Sequence, residues 1–402
     1  MKNFTPALII LALVLLSLGV APAQAYNSST VRVVIGIKNE LDYNQALKAL
    51  SALGALSAEI PEIRAVVADV PATALYHVAK LPFVRYVEED KPVKALGEVQ
   101  WNIEAVNATD VWGEYYLIYG DAAHGAGVQV AVVDTGIDYA HKDLQGSVAY
   151  CIVSLRNSKT YYRGTNLKNC ADPNGHGTHV AGIIAARLNS IGVVGVAPKT
   201  SLYAVRVLDA SGSGYVSDVA KGIVEAAKGP DNVVGTEDDA DVISMSLGGP
   251  ASQILQDAVK YAYESGAVLV AAAGNEGAPN PSYPANYPEV IAVGAVDSNY
   301  TLASWSNRYP DVVAPGVKIY STYKNGGYRS LSGTSMACPH VSGAVALVQA
   351  LRVAAGLSKL TPEDVSELIK STAIDLGEEG YDEMYGSGLI DAYAAVAASL
   401  QK

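Results

Sequence analysis

Five apolar runs without internal alternation recur along the second two-thirds of the chain: Val128–Val133, Ser201–Val207, Val242–Met245, Ala267–Ala272 and Val290–Val296. A strand reads this way when both of its faces are buried, as in a parallel sheet. Between and after the runs, apolar residues return every three or four positions, the period of a helix with one buried face. That pattern places helices over Gly177–Arg187, Val216–Ala227, Gln253–Glu264, Ser335–Leu351 and Thr361–Ser371. Strands alternating with helices predict an α/β domain over residues 97–402, its parallel sheet covered by helices on both faces.

Residues 26–96 follow a different rhythm. Val31–Ile37 reads as a strand, Tyr43–Leu53 as a helix, Ala65–Val70 as a strand, Pro71–Lys80 as a second helix and Val84–Val87 as a last strand, which together make a small α+β unit. Ahead of it, residues 1–25 carry Lys2, an apolar run from Ala7 to Val20, and Ala23-Gln-Ala25. A charged start, a short apolar stretch and small residues at a cleavage point are the parts of a removed export signal. The run falls short of the roughly 20 residues that a membrane span needs. The expected mature protein is therefore secreted and has no membrane span. No tandem repeat, low-complexity tract or linker to a further C-terminal module is visible.

Half of the residues are hydrophobic and 17% are charged, so the chain can build one large core and a smaller one, and disorder is excluded. The net charge of −12 is unevenly placed. Residues 26–96 are balanced, whereas residues 97–402 hold 19 Lys and Arg against 32 Asp and Glu. Such a surface repels nucleic acid and favours bound cations. Three cysteines in an exported chain suggest one disulfide and one leftover thiol. Cys151 and Cys170 bracket a polar stretch, and a bridge between them would staple a surface loop. Cys338 is expected on a buried helical turn as an inert small hydrophobe, its alternative being a second nucleophile.

Chemistry enters with four motifs: Asp134-Thr-Gly, Asn174-Gly-His-Gly-Thr-His179, Ala273-Gly-Asn275 and Gly333-Thr-Ser-Met-Ala-Cys-Pro-His340. An aspartate, a histidine, a serine and an asparagine able to donate a hydrogen bond are the parts of an acyl-transfer site with an oxyanion hole. Asp134 ends a buried strand at its carboxyl edge, where open α/β sheets keep their ligand crevice. Ser335 precedes the apolar stretch Met336–Leu351, so it should open a buried helix, whose dipole favours developing negative charge. Two histidines compete, His176 before a helix and His179 one turn in. A metal reading of their spacing is weak, because zinc on a helix favours a spacing of four with an intervening glutamate.

All four motifs resemble those of the subtilisin family, and the resemblance runs over nearly the whole chain beyond the export signal. It implies a serine endopeptidase with an Asp134, His176, Ser335 triad in the family's chain order and Asn275 as the oxyanion donor. His179 then becomes a packed helix residue. Ser246-Leu-Gly-Gly249 resembles the strand that pairs with an extended peptide, and with Ala273 and Gly274 it would wall an open, apolar S1 pocket. Broad preference for large apolar P1 residues follows, with Glu276 at the rim able to admit basic ones. The 26–96 unit resembles the ferredoxin-like propeptide, down to Tyr86-Val-Glu-Glu-Asp90, which in that family chaperones folding and then inhibits. Self-cleavage between Leu96 and Gly97 would release it. A permanent second domain is the other reading. A polypeptide substrate, no organic cofactor and a monomer are the remaining expectations.

Two stretches suggest structural calcium. Asp143 with Arg187, Asn189, Ile191 and Val193 resembles a family site, which Glu98 could complete. Asp231-Asn-Val-Val-Gly-Thr-Glu-Asp-Asp239 is an acidic, turn-rich insertion in which Asp231, Glu237, Asp238 and Asp239 offer hard oxygen ligands, although the positions do not match an EF-hand. A related class of hydrolases that uses Ser, Glu and Asp lacks the histidine base. A binding protein on an inactivated protease fold would have lost a catalytic side chain, and none is lost here.

Overall fold

The computed structural model describes residues 30–52, 55–71, 74–90, 99–155 and 160–401. The expected export signal 1–25, the expected cleavage point Leu96–Gly97 and Glu98 lie outside the described residues. Two compact units divide at Lys94 and Ala95.

The first unit runs β1 (Thr30–Ile37), α1 (Glu40–Ala52), β2 (Leu56–Ile60), β3 (Ala65–Pro71), α2 (Leu75–Ala79) and β4 (Val84–Glu89). Its antiparallel sheet has the order β2-β3-β1-β4, the ferredoxin-like arrangement. Val33, Ile35 and Ile37 alternate into the core against Tyr43, Ala46 and Leu50 of α1. Two sequence expectations are corrected here. Pro71 does not open a helix; it ends β3 opposite Thr30, and α2 is confined to Leu75–Ala79. Cross-strand pairing thus overrides proline's preference for a first helical turn. Strand β2 had not been anticipated, because it is a five-residue edge strand with most of its residues exposed.

The second unit begins with α3 (Trp101–Ala105) and α4 (Ala108–Tyr119), followed by β5 (Gln129–Asp134), β6 (Val148–Leu155), β7 (Thr160–Gly164) and α5 (His176–Ala185). It continues through β8 (Ser201–Arg206), α6 (Val216–Ala227), β9 (Val242–Met245), α7 (Gln253–Glu264), β10 (Val268–Ala272), β11 (Val290–Val296) and β12 (Val312–Pro315). A hairpin of β13 (Ile319–Tyr323) and β14 (Gly327–Leu331) leads to α8 (Thr334–Ala354), α9 (Pro362–Ser371) and α10 (Ala392–Ser399).

The eight-stranded sheet has the order β12-β11-β10-β9-β5-β8-β6-β7, and every pair is parallel except β6–β7. Val130 and Val132 of β5 join the core that contains α5 and α8, while Ala131 and Val133 join the core under α6 and α7. Both faces are therefore covered, which is why the strands lack a polar face. Helix α8 is long and apolar enough to cross a membrane by length and composition, yet 94% of its apolar window is buried in the core. Cys151 and Cys170 are bridged, and Cys338 is a free buried thiol. The polar stretch inside the bridge is the edge hairpin β6–β7 where it is described, rather than an irregular loop.

Candidate active site

Strand β5 lies in the middle of the sheet, and its last residue, Asp134, is fully buried. The Thr135 amide donates to Asp134 Oδ1 at 2.7 Å. His176 opens α5, and its Nδ1 lies 2.9 Å from both Asp134 oxygens. Glycine makes that approach possible: a Cβ on Gly177 would collide with the Gly136 carbonyl and crowd Asp134. The His176 side chain is 28% exposed. Burial pulls its pKa down, but the charge and hydrogen bond of Asp134, with the charge of Asp172, outweigh burial and hold it above 6.5. Such an imidazole can take a proton from a neighbouring hydroxyl, with Asp134 fixing its orientation and stabilising the cation.

Ser335 is the second residue of α8. Pro339, four residues on, has no N–H to return to the Ser335 carbonyl. That carbonyl instead accepts the Ser246 hydroxyl at 2.8 Å, and Ser335 Oγ donates to the Ser246 carbonyl at 3.1 Å. The proline thus ties the Ser335 turn to the segment after β9. In this rotamer Ser335 Oγ has no hydrogen bond to His176 among the described residues, as resting sites often show. Asn275 follows β10, and its Oδ1 accepts both the Thr334 amide, at 2.8 Å, and the Thr334 hydroxyl, at 3.0 Å. With its carbonyl end occupied, the exposed Asn275 amide is left with its N–H groups to offer beside Ser335.

Residues 125–388 match the model of the subtilase family. The chain is 45% identical over 307 residues to subtilisin DY of Bacillus licheniformis, spanning 74% of this chain and 98% of that one. It is 38% identical over 390 residues to subtilisin E of Bacillus subtilis, covering 93% of each. An alkaline protease of Alkalihalobacillus alcalophilus is 42% identical over 318 residues, covering 78% of this chain and 74% of its own. The chain belongs to the subtilase family. It is a serine endopeptidase that acts on polypeptides.

In this subtilase Ser246, Leu247, Gly248 and Gly249 continue from β9 along a groove of about 540 Å³. Gly249 pairs with Tyr283, while Leu247 and Gly248 have no backbone partner among the described residues. Their edge can accept an extended peptide. The opposite wall, Ser211-Gly-Ser-Gly214, was missed from sequence, although a glycine- and serine-rich turn at the carboxyl end of a buried strand is a readable sign. Ala273 and Gly274 are buried next to Asn275. Asp172 was also missed; its carboxylate accepts the Thr135 and Thr178 hydroxyls and the amides of Asn174, Gly175 and Thr178, all within 2.9 Å. It thereby locks the turn that carries His176. His179 is buried and bonds the carbonyls of Ile319 and Arg329, with burial first among the causes that lower its pKa to about 4.

The residues proposed for metal fall in two places. Asp143 is buried; it accepts Asn189 Nδ2 at 3.0 Å, the Val193 amide at 2.9 Å and the Tyr328 hydroxyl at 2.9 Å. Its carbonyl takes the Arg187 amide, and Asn189 Oδ1 takes that of Ile191. All these donors are neutral and no cationic side chain lies in ion-pair range among the described residues, so the charge is uncompensated, but most of the carboxylate lone pairs are already filled. The second place gathers three carboxylates, which also accept the amides of Asp231, Val233, Gly235 and Thr236 and the Thr236 hydroxyl. Ligand oxygens of Asp231, Asp238 and Asp239 lie within 4.8 Å of one another, again with no cationic side chain paired to them among the described residues. Glu237 is exposed and is not part of the cluster. Arg163 of β7 anchors this loop to the fold, donating to the Gly229 carbonyl and to Glu225 of α6.

Proposed function

We propose that this subtilase is exported as a zymogen and hydrolyses peptide bonds through Asp134, His176 and Ser335, with Asn275 as oxyanion donor. The carrying observation is the Asp134–His176 pair on a groove that Ser246 also lines, with Ser246 bonded to Ser335 at the start of a buried helix and the Asn275 carbonyl pinned by Thr334. Ser335 Oγ turns from the Ser246 carbonyl and attacks the scissile carbonyl carbon while His176 Nε2 takes its proton. The carbonyl oxygen, now an anion, receives Asn275 Nδ2–H and the amides at the start of α8. His176 returns the proton to the leaving amine, which departs, and an acyl-serine remains. Water, deprotonated by the same imidazole, releases the acid and restores Ser335.

The substrate lies extended against Ser246–Gly249, with its P1 side chain against Ala273 and Gly274, so large apolar P1 residues are favoured. Calcium, bound by Asp231, Asp238 and Asp239, would neutralise their mutual repulsion and tie down the 228–240 loop; Asp143 with the Arg187–Val193 segment, completed by Glu98, is a second candidate. Residues 1–25 direct export, and residues 26–96 act as an intramolecular inhibitor until the bond between Leu96 and Gly97 is cut. The processed enzyme acts as a monomer. Expression of the full chain as Ser335→Ala tests this reading: casein hydrolysis falls to background and the N-terminal unit stays attached. Casein hydrolysis or N-terminal release by the purified variant would overturn it.

A further inference from the structure

Asn307 lies between β11 and β12, outside the four motifs, and is 1% exposed. Its hydrogen bonds converge on one segment. Its backbone N–H donates to the Gly274 carbonyl at 3.1 Å, and Nδ2 donates to the Ala273 carbonyl at 3.0 Å and to Glu276 Oε2 at 3.2 Å. Oδ1 accepts the amides of Glu276, at 3.1 Å, and Ala278, at 2.9 Å. The Glu276 carboxylate that it holds accepts the Asn275 amide at 2.8 Å. One residue therefore clamps the chain on both sides of Asn275 and, through Glu276, the Asn275 backbone as well. Gly274 has φ +112°, and a Cβ there would run into the Asn307 amide, so the glycine and the asparagine fit only as a pair.

We propose that Asn307 is a positioning residue for catalysis: it sets the backbone of Asn275 so that the donor amide points at the developing oxyanion. This rests on the reading of Asn275 as that donor. Thr334 fixes how the Asn275 side chain is turned, whereas Asn307 fixes where it starts. The position needs a group that both donates and accepts. Alanine removes the acceptor of the Glu276 and Ala278 amides and one of the two donors to the buried Ala273 carbonyl, which keeps only the Ser282 amide. Aspartate keeps the acceptor but turns a carboxylate toward that of Glu276.

The test is a double-mutant cycle on the full chain, with turnover counted per active site titrated by a serine-directed inhibitor. Asn275→Ala is expected to lower kcat by roughly 10²–10³, the scale known for the corresponding subtilisin donor. Asn307→Ala should lower kcat by about 10- to 100-fold with KM within about threefold, a part of that loss. Asn307→Asp should behave likewise and serves if the alanine variant does not fold. In the Asn275→Ala background, either change should cost less than about threefold, because the group being positioned is gone. Equal losses in both backgrounds, or a kcat unmoved by Asn307 substitution while Asn275→Ala is crippled, would overturn the positioning role alone. An undiminished kcat in Asn275→Ala would overturn the oxyanion reading, and this inference with it.

Discussion

Glu225 offers a quantitative test of how the second unit is held together. Its side chain is 1% exposed on α6 and takes three cations: Arg163 at 2.6 Å, Lys221 at 2.7 Å and Lys228 at 2.9 Å. Burial would raise its pKa, but the hydrogen bonds and charges of Lys221 and Lys228 override that and hold it at about 2, against an ordinary 4.5. A depressed carboxylate contributes stability above its unfolded pKa and loses it as pH falls toward the folded one. The gap of about 2.5 units, at ~1.4 kcal/mol each, corresponds to about 3 kcal/mol at neutral pH. A unit of roughly 300 residues unfolds with an entropy near 0.65 kcal/mol/K, so Glu225→Gln should lower Tm by about 5 °C at pH 7. The change also leaves Arg163, Lys221 and Lys228 facing one another, which widens the gap further. Calorimetry of the two proteins in a Ser335→Ala background, which suppresses self-digestion, should show the difference shrinking from about pH 4.5 toward pH 2. A difference below about 1 °C at pH 7, or one that does not change down to pH 2.5, would refute this account of the cluster.

Other outcomes follow from the same structure. His176 must be neutral to act as base and its pKa is raised, so kcat/KM should climb with pH through a value above 6.5; an acidic limb at pH 6 or lower would contradict the Asp134 and Asp172 environment. Chelation should lower Tm, by about 4 °C if the cation is held at 100 times its Kd, and Asp238→Asn should remove much of that sensitivity. An identical Tm with and without chelator would remove the cation from the 228–240 loop. A peptide library should show cleavage after many large apolar residues, and strict cleavage after acidic ones would contradict the Ala273–Gly274 wall.

What could be read in the sequence was what burial or spacing writes into it. The five central apolar strands were legible because side chains of both faces enter a core, as Val130 to Val133 show. Helices α6 and α7 were placed to the residue by their periodicity. Elements on edges were not: β2 is exposed, β7 carries mixed polarity, and the β13–β14 hairpin alternates too little to signal itself. Strand β6 is as apolar as its neighbours, yet a polar stretch flanked by cysteines drew the eye to a loop. In the site, Asp134, His176, Asn275 and Ser335 stood out because glycines and short motifs surround them. The roles of Thr334 and Asn307 did not, since both work through residues distant in sequence, whereas Asp172 bonds mainly to residues two to six positions away and no motif marked it. Thr334 reaches across 59 positions and Asn307 across about 30, which only the folded sheet brings together.

The proposed hydrolysis depends on one hydroxyl, that of Ser335, being activated by His176. Intact mass of the processed protein after a fluorophosphonate tests it most directly, with peptide mapping to locate the adduct. One adduct per chain on Ser335, none on Ser335→Ala, and labelling of His176→Ala slowed by orders of magnitude is the predicted result. Labelling at any other residue, or at Ser335 with an undiminished rate in the His176 variant, would contradict it.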